Sequence, residues 1–288
     1  MSDSAPGEVM APTLVRLGTD IGWGDVDAAA AAREQPPVGA GRLAELIEWL
    51  AATQGAYPPP PATRTPLLTI SPAGESVAAL ADAAGVGVRT VEAPTDVDGA
   101  VDVGAAAADD EIEAGTDLLV LADPDAGHAP GVVVSVVTGA EPVTLLPRGA
   151  DAIDSAAWIE AASRLRDARR RAAALRAAPD QLLLAAGSAA LAVSTGVIMR
   201  AAARRTPVLL DGTSALAAAV LCREVQPRVA RWVRIADVSP HPVHARATAE
   251  FAQRPLLDLG TSRGDGTAAL LCLPVLRAAA ALAGSAPA

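Results

Sequence analysis

Three short stretches of this sequence combine acids and glycines in the way that anion binding and proton transfer use them. The richest is Leu257-Asp258-Leu259-Gly260-Thr261-Ser262-Arg263-Gly264-Asp265-Gly266-Thr267. Gly264 and Gly266 bracket Asp265, Arg263 stands two residues before it, and an apolar helical pattern starts at Thr267. Glycines let backbone approach a ligand, a guanidinium and helix amides attract phosphate, and a carboxylate can accept a proton. The second stretch is Ala122-Asp123-Pro124-Asp125-Ala126-Gly127-His128, where Gly127 offers close backbone approach just before a helix. A strand-to-helix turn needs the same residue types for its shape, so both readings stand. In the third, Leu209-Leu210-Asp211-Gly212-Thr213-Ser214, the Asp and Ser can equally cap the helix that follows.

Other chemistries find little support. The chain has no Lys, so neither a Schiff base nor a P-loop is available, and no GxGxxG element is present. His241 and His244 lie three apart without a Cys or carboxylate cluster, a poor metal site, so neither metal nor cofactor is expected. Cys222 and Cys272 sit in apolar runs and read as buried thiols of a reducing cytosol. The net charge of −10 argues against nucleic acid, and the arginines from Arg164 to Arg171 read as a solvated helix face. The N-terminus lacks the basic and apolar regions of a signal peptide, and no membrane span is expected.

These loops need elements to hold them. The chain has 288 residues, 51% apolar and only 2% aromatic, so its core must be built from Ala, Val, Leu and Ile. Helices are expected at 26–33, 42–54, 76–84, 100–113, 155–176, 189–203, 214–222, 245–253 and 267–281, and strands at 67–70, 86–91, 118–121, 182–185, 207–210 and 232–235. The apolar run 132–137 carries into Thr138-Gly139, and residues 1–24 read as loose. The alternation predicts an α/β fold: a mostly parallel, Rossmann-like sheet flanked by helices, with ligands at the C-terminal ends of strands. A small helical subdomain is expected from residues 1–62 together with the C-terminal helix, and the α/β domain from 63–288.

Four stretches, in order, resemble the nicotinate-nucleotide–dimethylbenzimidazole phosphoribosyltransferase family. REQPPVGAGRLAELIEWLAATQG (33–55) is similar to its KPPGSLGRLE element, and VVVSVVTGAEPVTLLPRGADAID (132–154) to its TG and GRGTG region. GSAALAVSTGVIMRAAARRTPVLLDGTSALAAAVL (187–221) resembles its GG…LDG element, and PLLDLGTSRGDGTAALLCLPVLRAA (255–279) its PLLDL…LGEGTGA element. The resemblance implies a cytoplasmic, homodimeric enzyme of cobalamin lower-ligand synthesis. It would move phosphoribose from nicotinate mononucleotide to a benzimidazole-type base. By the same resemblance Asp265 and Asp123 stand where the family has catalytic glutamates. Gly127, Gly187, Asp211, Gly212, Ser239, Arg263, Gly264, Gly266 and Thr267 would line the substrate site. There are four departures: the family's H-R-S-x-E-P-x-H motif is Asp237-Val238-Ser239-Pro240-His241-Pro242-Val243-His244 here, the MR before its LGEG is Thr261-Ser262 with Arg263 next to it, and two loops differ. The family's GIGNTT loop is Asp125-Ala126-Gly127-His128-Ala129-Pro130 here, and its AGDHGV motif is Ser71-Pro72-Ala73-Gly74-Glu75-Ser76. Two alternatives follow: a non-catalytic homologue that binds a nucleotide or pairs with an active paralogue, and an unrelated α/β phosphosugar-binding enzyme.

Overall fold

Five short strands, each buried except at one edge, form the floor on which the loops stand. The computed structural model describes residues 13–124, 127–148 and 155–285. The strands are β1 (Leu67–Thr69), β2 (Val88–Thr90), β3 (Leu119–Ala122), β4 (Val208–Asp211) and β5 (Val233–Ile235). All pair in parallel, in the order β2-β1-β3-β4-β5. Beyond β5, Asp237 bridges Leu257 in the same sense. The order reverses between β1 and β3, and such a point leaves a crevice at the carboxyl ends of the strands.

Alternation along the strands feeds two cores. Leu68, Leu119, Leu121, Leu210 and Ile235 face one cluster, while Leu67, Val120, Ala122 and Leu209 face the other. Continuous apolar strands of this kind need helices on both faces. On the first face lie α1 (Thr13–Gly18), α5 (Ala100–Glu113), α6 (Ala129–Thr138), α9 (Ala189–Ala203) and α10 (Thr213–Val225). The outer helices α7 (Ser155–Ala172), α8 (Pro179–Ala186) and α11 (Pro242–Ala249) pack against them. The second face is covered by α2 (Val26–Glu34), α3 (Leu43–Gln54), α4 (Glu75–Ala83) and α12 (Thr267–Gly284). As expected, α3 packs beside α12.

A core nearly free of aromatics lets helices approach closely. At the α5–α9 crossing a Cβ on Gly104 would lie 2.0 Å from the Val193 carbonyl oxygen, and one on Gly196 would lie 2.0 Å from that of Val101. By length and composition α12 could cross a membrane, yet half of it is buried inside this protein. It packs on α3, α4, β3 and β4 as a core helix.

The parallel α/β class is as expected, and several elements differ. Residues 182–185 are not a strand but part of α8. Pro179 opens that helix and Gly187 closes it in the left-handed conformation, φ 74°. Residues 132–137 lie in α6 despite their run of β-branched valines. Residues 13–18 form α1 rather than a loose segment, and the chain after it is pinned: Trp232 Nε1 donates to the Gly22 carbonyl and Arg228 to that of Ile21. The helix expected at 245–253 starts earlier, at Pro242, with His241 Nδ1 accepting the Val243 amide.

Candidate active site

The carboxyl ends of β3, β4 and β5 each present an acid: Asp123 just after β3, Asp211 at the end of β4, and Asp237 two residues after β5. All three are buried. A carboxylate removed from water needs donors, and each of these finds them on a different part of the chain.

Asp123 Oδ2 accepts from the hydroxyls of Ser194 on α9 (2.8 Å) and Ser214 on α10 (2.6 Å), both fully buried. Ser214 therefore does not cap α10; Gly212 stands at that helix's N-cap with no side-chain bond. Asp211 does not cap it either. Its Oδ2 accepts from the Ala269 amide (3.1 Å), in the first turn of α12. Burial pushes the Asp211 carboxyl up to about 6, against the pull of the Ala268 and Ala269 amides. Asp237 accepts from the Leu259 amide (2.8 Å) and from the amide and hydroxyl of Thr261 (2.8 and 2.6 Å). Burial opposes its ionisation, and these bonds outweigh it, holding Asp237 below the usual carboxylate range.

The three loops read from the sequence meet. A Cβ on Gly212 would lie 2.7 Å from the Asp123 carbonyl oxygen and 2.8 Å from Gly264 Cα. Backbone packs on backbone here, and only glycine fits at both positions, each with φ positive (100° and 65°). Asp265 stands at this junction, half-buried. Its Oδ1 accepts the Thr267 amide (3.1 Å) and its Oδ2 accepts Arg263 Nε (2.6 Å). Burial raises the Asp265 carboxyl, but Thr267 and the Arg263 guanidinium together hold it below the ordinary value.

This pairing changes the part α12 can play. The Thr267 amide is taken by Asp265, those of Ala268 and Ala269 by Asp211, and that of Leu270 by the Gly266 carbonyl. The start of α12 is thus already satisfied by protein acids. Among the described residues, the N-cap positions of α6 and α10, His128 and Gly212, make no side-chain cap bond.

Asp211, Gly212, Ser239 and Gly264 line one small cavity of about 10 Å³, with Asp237, His244 and Thr261. That is room for about one water molecule. Burial pushes His244 down to about 4, so the imidazole is neutral. The Ser239 hydroxyl accepts the His241 amide (3.3 Å). Gly266 packs on Leu67 and Ala122 beneath the loop. Gly127 precedes α6 on the β3 side. Gly187 lies at the α8–α9 corner, with open space beside its Cα and, among the described residues, no hydrogen bond to this cluster. Asp125, Ala126 and residues 149–154, which fall in two of the recognised motifs, lie outside the described residues. Sequence reading does not single out Ser194, and it marks Asp237 and Thr261 only as altered positions of family motifs. The partners of Ser194 and Thr261 are 71 and 24 residues away, so no local pattern marks their bonds.

Comparison with known proteins places the chain in a family. Residues 93–286 match the profile of a family described as Phosphoribosyltransferase. The chain is 34% identical to the nicotinate-nucleotide–dimethylbenzimidazole phosphoribosyltransferase of Streptomyces avermitilis, over 90% of this chain and 86% of that protein. It is 34% identical to the Mycobacterium avium enzyme of the same name, over 89% and 92%. Among solved structures, CobT from Thermus thermophilus superposes with a TM-score of 0.78 at 21% identity, covering 95% of this chain and 96% of that one.

Proposed function

Because the chain belongs to the nicotinate-nucleotide–dimethylbenzimidazole phosphoribosyltransferase family, we propose that it transfers phosphoribose from nicotinate mononucleotide to a benzimidazole-type base, a step of cobalamin lower-ligand synthesis. The observation that carries this reading is full-length similarity to enzymes of that name, over 90% of this chain and 86% of the relative. The convergence of loops 123–124, 211–214 and 260–267 at the strand ends supports it.

In this reaction the acceptor nitrogen attacks the anomeric carbon of the ribose. The bond from that carbon to the pyridinium nitrogen breaks, its electron pair leaves with nicotinate, and the acceptor's N–H proton goes to a base. Asp265 is the proposed base. It stands at the loop junction and matches the family's glutamate. Arg263 and the Thr267 amide hold it ionised, ready to accept a proton, although that same stabilisation makes it a weak base. Asp123, fixed by two hydroxyls, contributes negative charge behind the oxocarbenium-like ribose. The phosphate is proposed at the N-terminal ends of α6 and α10, where Gly127 and Gly212 lie, rather than at α12, whose first amides Asp265 and Asp211 occupy. Ser239, Gly264, Gly266 and Thr267 line or support the ribose side. A cavity the size of one water does not hold a nucleotide, so the ligand lies across the mouth of the crevice or opens it.

The enzyme is further proposed to be a cytoplasmic homodimer, as the resemblance implies. Incubation with nicotinate mononucleotide and a panel of benzimidazoles, purines and phenols tests the activity. Acceptor-dependent release of nicotinate is expected. A protein that binds the nucleotide yet releases no nicotinate with any acceptor is not this enzyme.

A further inference from the structure

Loop 259–266 carries Arg263 and Asp265, and acids from other elements fasten both of its ends. At the front, Asp237 takes the amides of Leu259 and Thr261 and the Thr261 hydroxyl. At the back, Asp211 takes the amide of Ala269 in the first turn of α12. Both acids are buried, 4% and 5% exposed. Hydrogen bonds to an ionised acceptor are roughly twice as strong as neutral ones.

The loop has reason to need such fastening. Gly260, Gly264 and Gly266 all have positive φ (69°, 65° and 100°). Glycines at such spacing leave an unfastened chain with more conformational freedom than any other residue type. Apart from its own bonds to the start of α12 and the packing of Gly264 on Gly212, the described polar bonds that tie the loop and the first turn of α12 to the rest of the protein run through these two acids.

We infer that Asp211 and Asp237 are positioning residues: they hold the loop from its two ends and set where Asp265 stands relative to Asp123 and Gly212. In this role Asp211 anchors the loop and is not a substrate ligand, the role that the family resemblance implies for it. A sugar hydroxyl would have to compete with the α12 amides for the same carboxylate. The inference deepens the phosphoribosyl-transfer reading and rests on it for its kinetic readout alone.

Asp211→Asn and Asp237→Asn keep side-chain size and replace the two-oxygen acceptor that takes these amides with a single carbonyl oxygen and an NH2 donor. Two quantities are measured on the full-length protein: kcat and KM for nicotinate mononucleotide, and amide hydrogen exchange over residues 259–270. Each variant is expected to lose about 100-fold in kcat with KM within about threefold of wild type, the pattern of a misplaced catalytic group. Exchange over 259–270 should quicken by about tenfold or more while β3 and α10 keep their protection. A raised KM with kcat and exchange unchanged would make the two acids substrate ligands and overturn the inference. Should either variant fail to fold, Thr261→Val removes only one donor to Asp237. It is expected to quicken exchange over 259–263, and unchanged exchange there would equally overturn the inference. If the wild type turns over no acceptor, the phosphoribosyl-transfer reading fails, and the exchange result alone decides the positioning role.

Discussion

Gly212→Ala is the perturbation that most directly probes the loop junction. Gly212 has φ 100° and ψ 159°, a conformation that an L side chain rarely adopts. The backbone term alone amounts to about 1–2 kcal/mol. The added Cβ would also lie 2.7 Å from the Asp123 carbonyl oxygen and 2.8 Å from Gly264 Cα, where ordinary contact begins at 3.4 Å. Both neighbours are backbone, so two loops must move apart by more than half an ångström, an overpacking penalty of about 1–3 kcal/mol. Gly115→Ala supplies the control. It has φ 90° and nothing within 4 Å of the added carbon, so it carries only the backbone term. Urea unfolding should place Gly212→Ala below Gly115→Ala by about 1–3 kcal/mol. Because the displaced loops carry Asp123 and Asp265, nicotinate release should fall about 100-fold in Gly212→Ala, the scale of a misplacement near 1 Å. It should be unchanged in Gly115→Ala. Equal stabilities, or full activity in Gly212→Ala, would refute the argument that these backbones touch to assemble the site.

Three other outcomes follow from the buried polar groups and the outlying glycine. Asp211 has its folded carboxyl pushed from 3.8 to about 6, so the native state holds the proton more tightly. Its contribution to stability is therefore fully present below pH 3.8 and is lost as pH rises through about 6. Relative to Asp211→Asn, the wild type should lose about 3 kcal/mol between a pH well below 3.8 and one well above 6, at about 1.4 kcal/mol per pKa step; melting curves at those two pH values that keep a constant gap would contradict it. Asp237 and Asp265, both lowered, act in the opposite sense, and their contribution is lost on acidification through their folded values. Ser194→Ala removes one of two hydroxyls from the buried Asp123 carboxylate and should destabilise by about 1–3 kcal/mol in urea unfolding, whereas a neutral result would mean that the second serine suffices. Gly187→Ala meets open space, so if Gly187 contacts the nucleotide its activity should fall by more than its stability, and a parallel small loss in both would remove it from the site.

The sheet is legible in the sequence wherever a short apolar run ends in a turn. LLT, LVLA, VLLD and VRI all form parallel strands, and the glycines and acids that follow them form the crevice. Leu182-Leu183-Leu184 is ambiguous, because three apolar residues fit a strand and a helix alike. The Pro179 and Gly187 punctuation that marks a helix is the better signal. In Val132–Val137, tertiary burial on the first face overrides the β-preference of valine. The meeting of the three loops follows from family motifs and strand ends together. The roles within them do not. By their motifs Asp123 and Asp211 face substrate, and the structure shows each bonded to protein donors 58 to 91 residues away. A carboxylate at a strand end looks the same in sequence whether it meets a sugar or a distant helix. The pairing of Arg263 with Asp265, two residues apart, is visible as spacing, but its effect of lowering the base's proton affinity needs the geometry.

The most direct test of the account is a single-turnover comparison of wild type, Asp265→Asn and Asp265→Glu, following nicotinate release from nicotinate mononucleotide with 5,6-dimethylbenzimidazole. Asp265→Asn keeps the size of the side chain and removes the base, so it should slow release by about 10²–10⁴-fold. Asp265→Glu restores the longer reach and should match or exceed wild type. Equal release by wild type and Asp265→Asn would contradict the central claim that this half-buried acid, held between Arg263 and Thr267, takes the acceptor's proton.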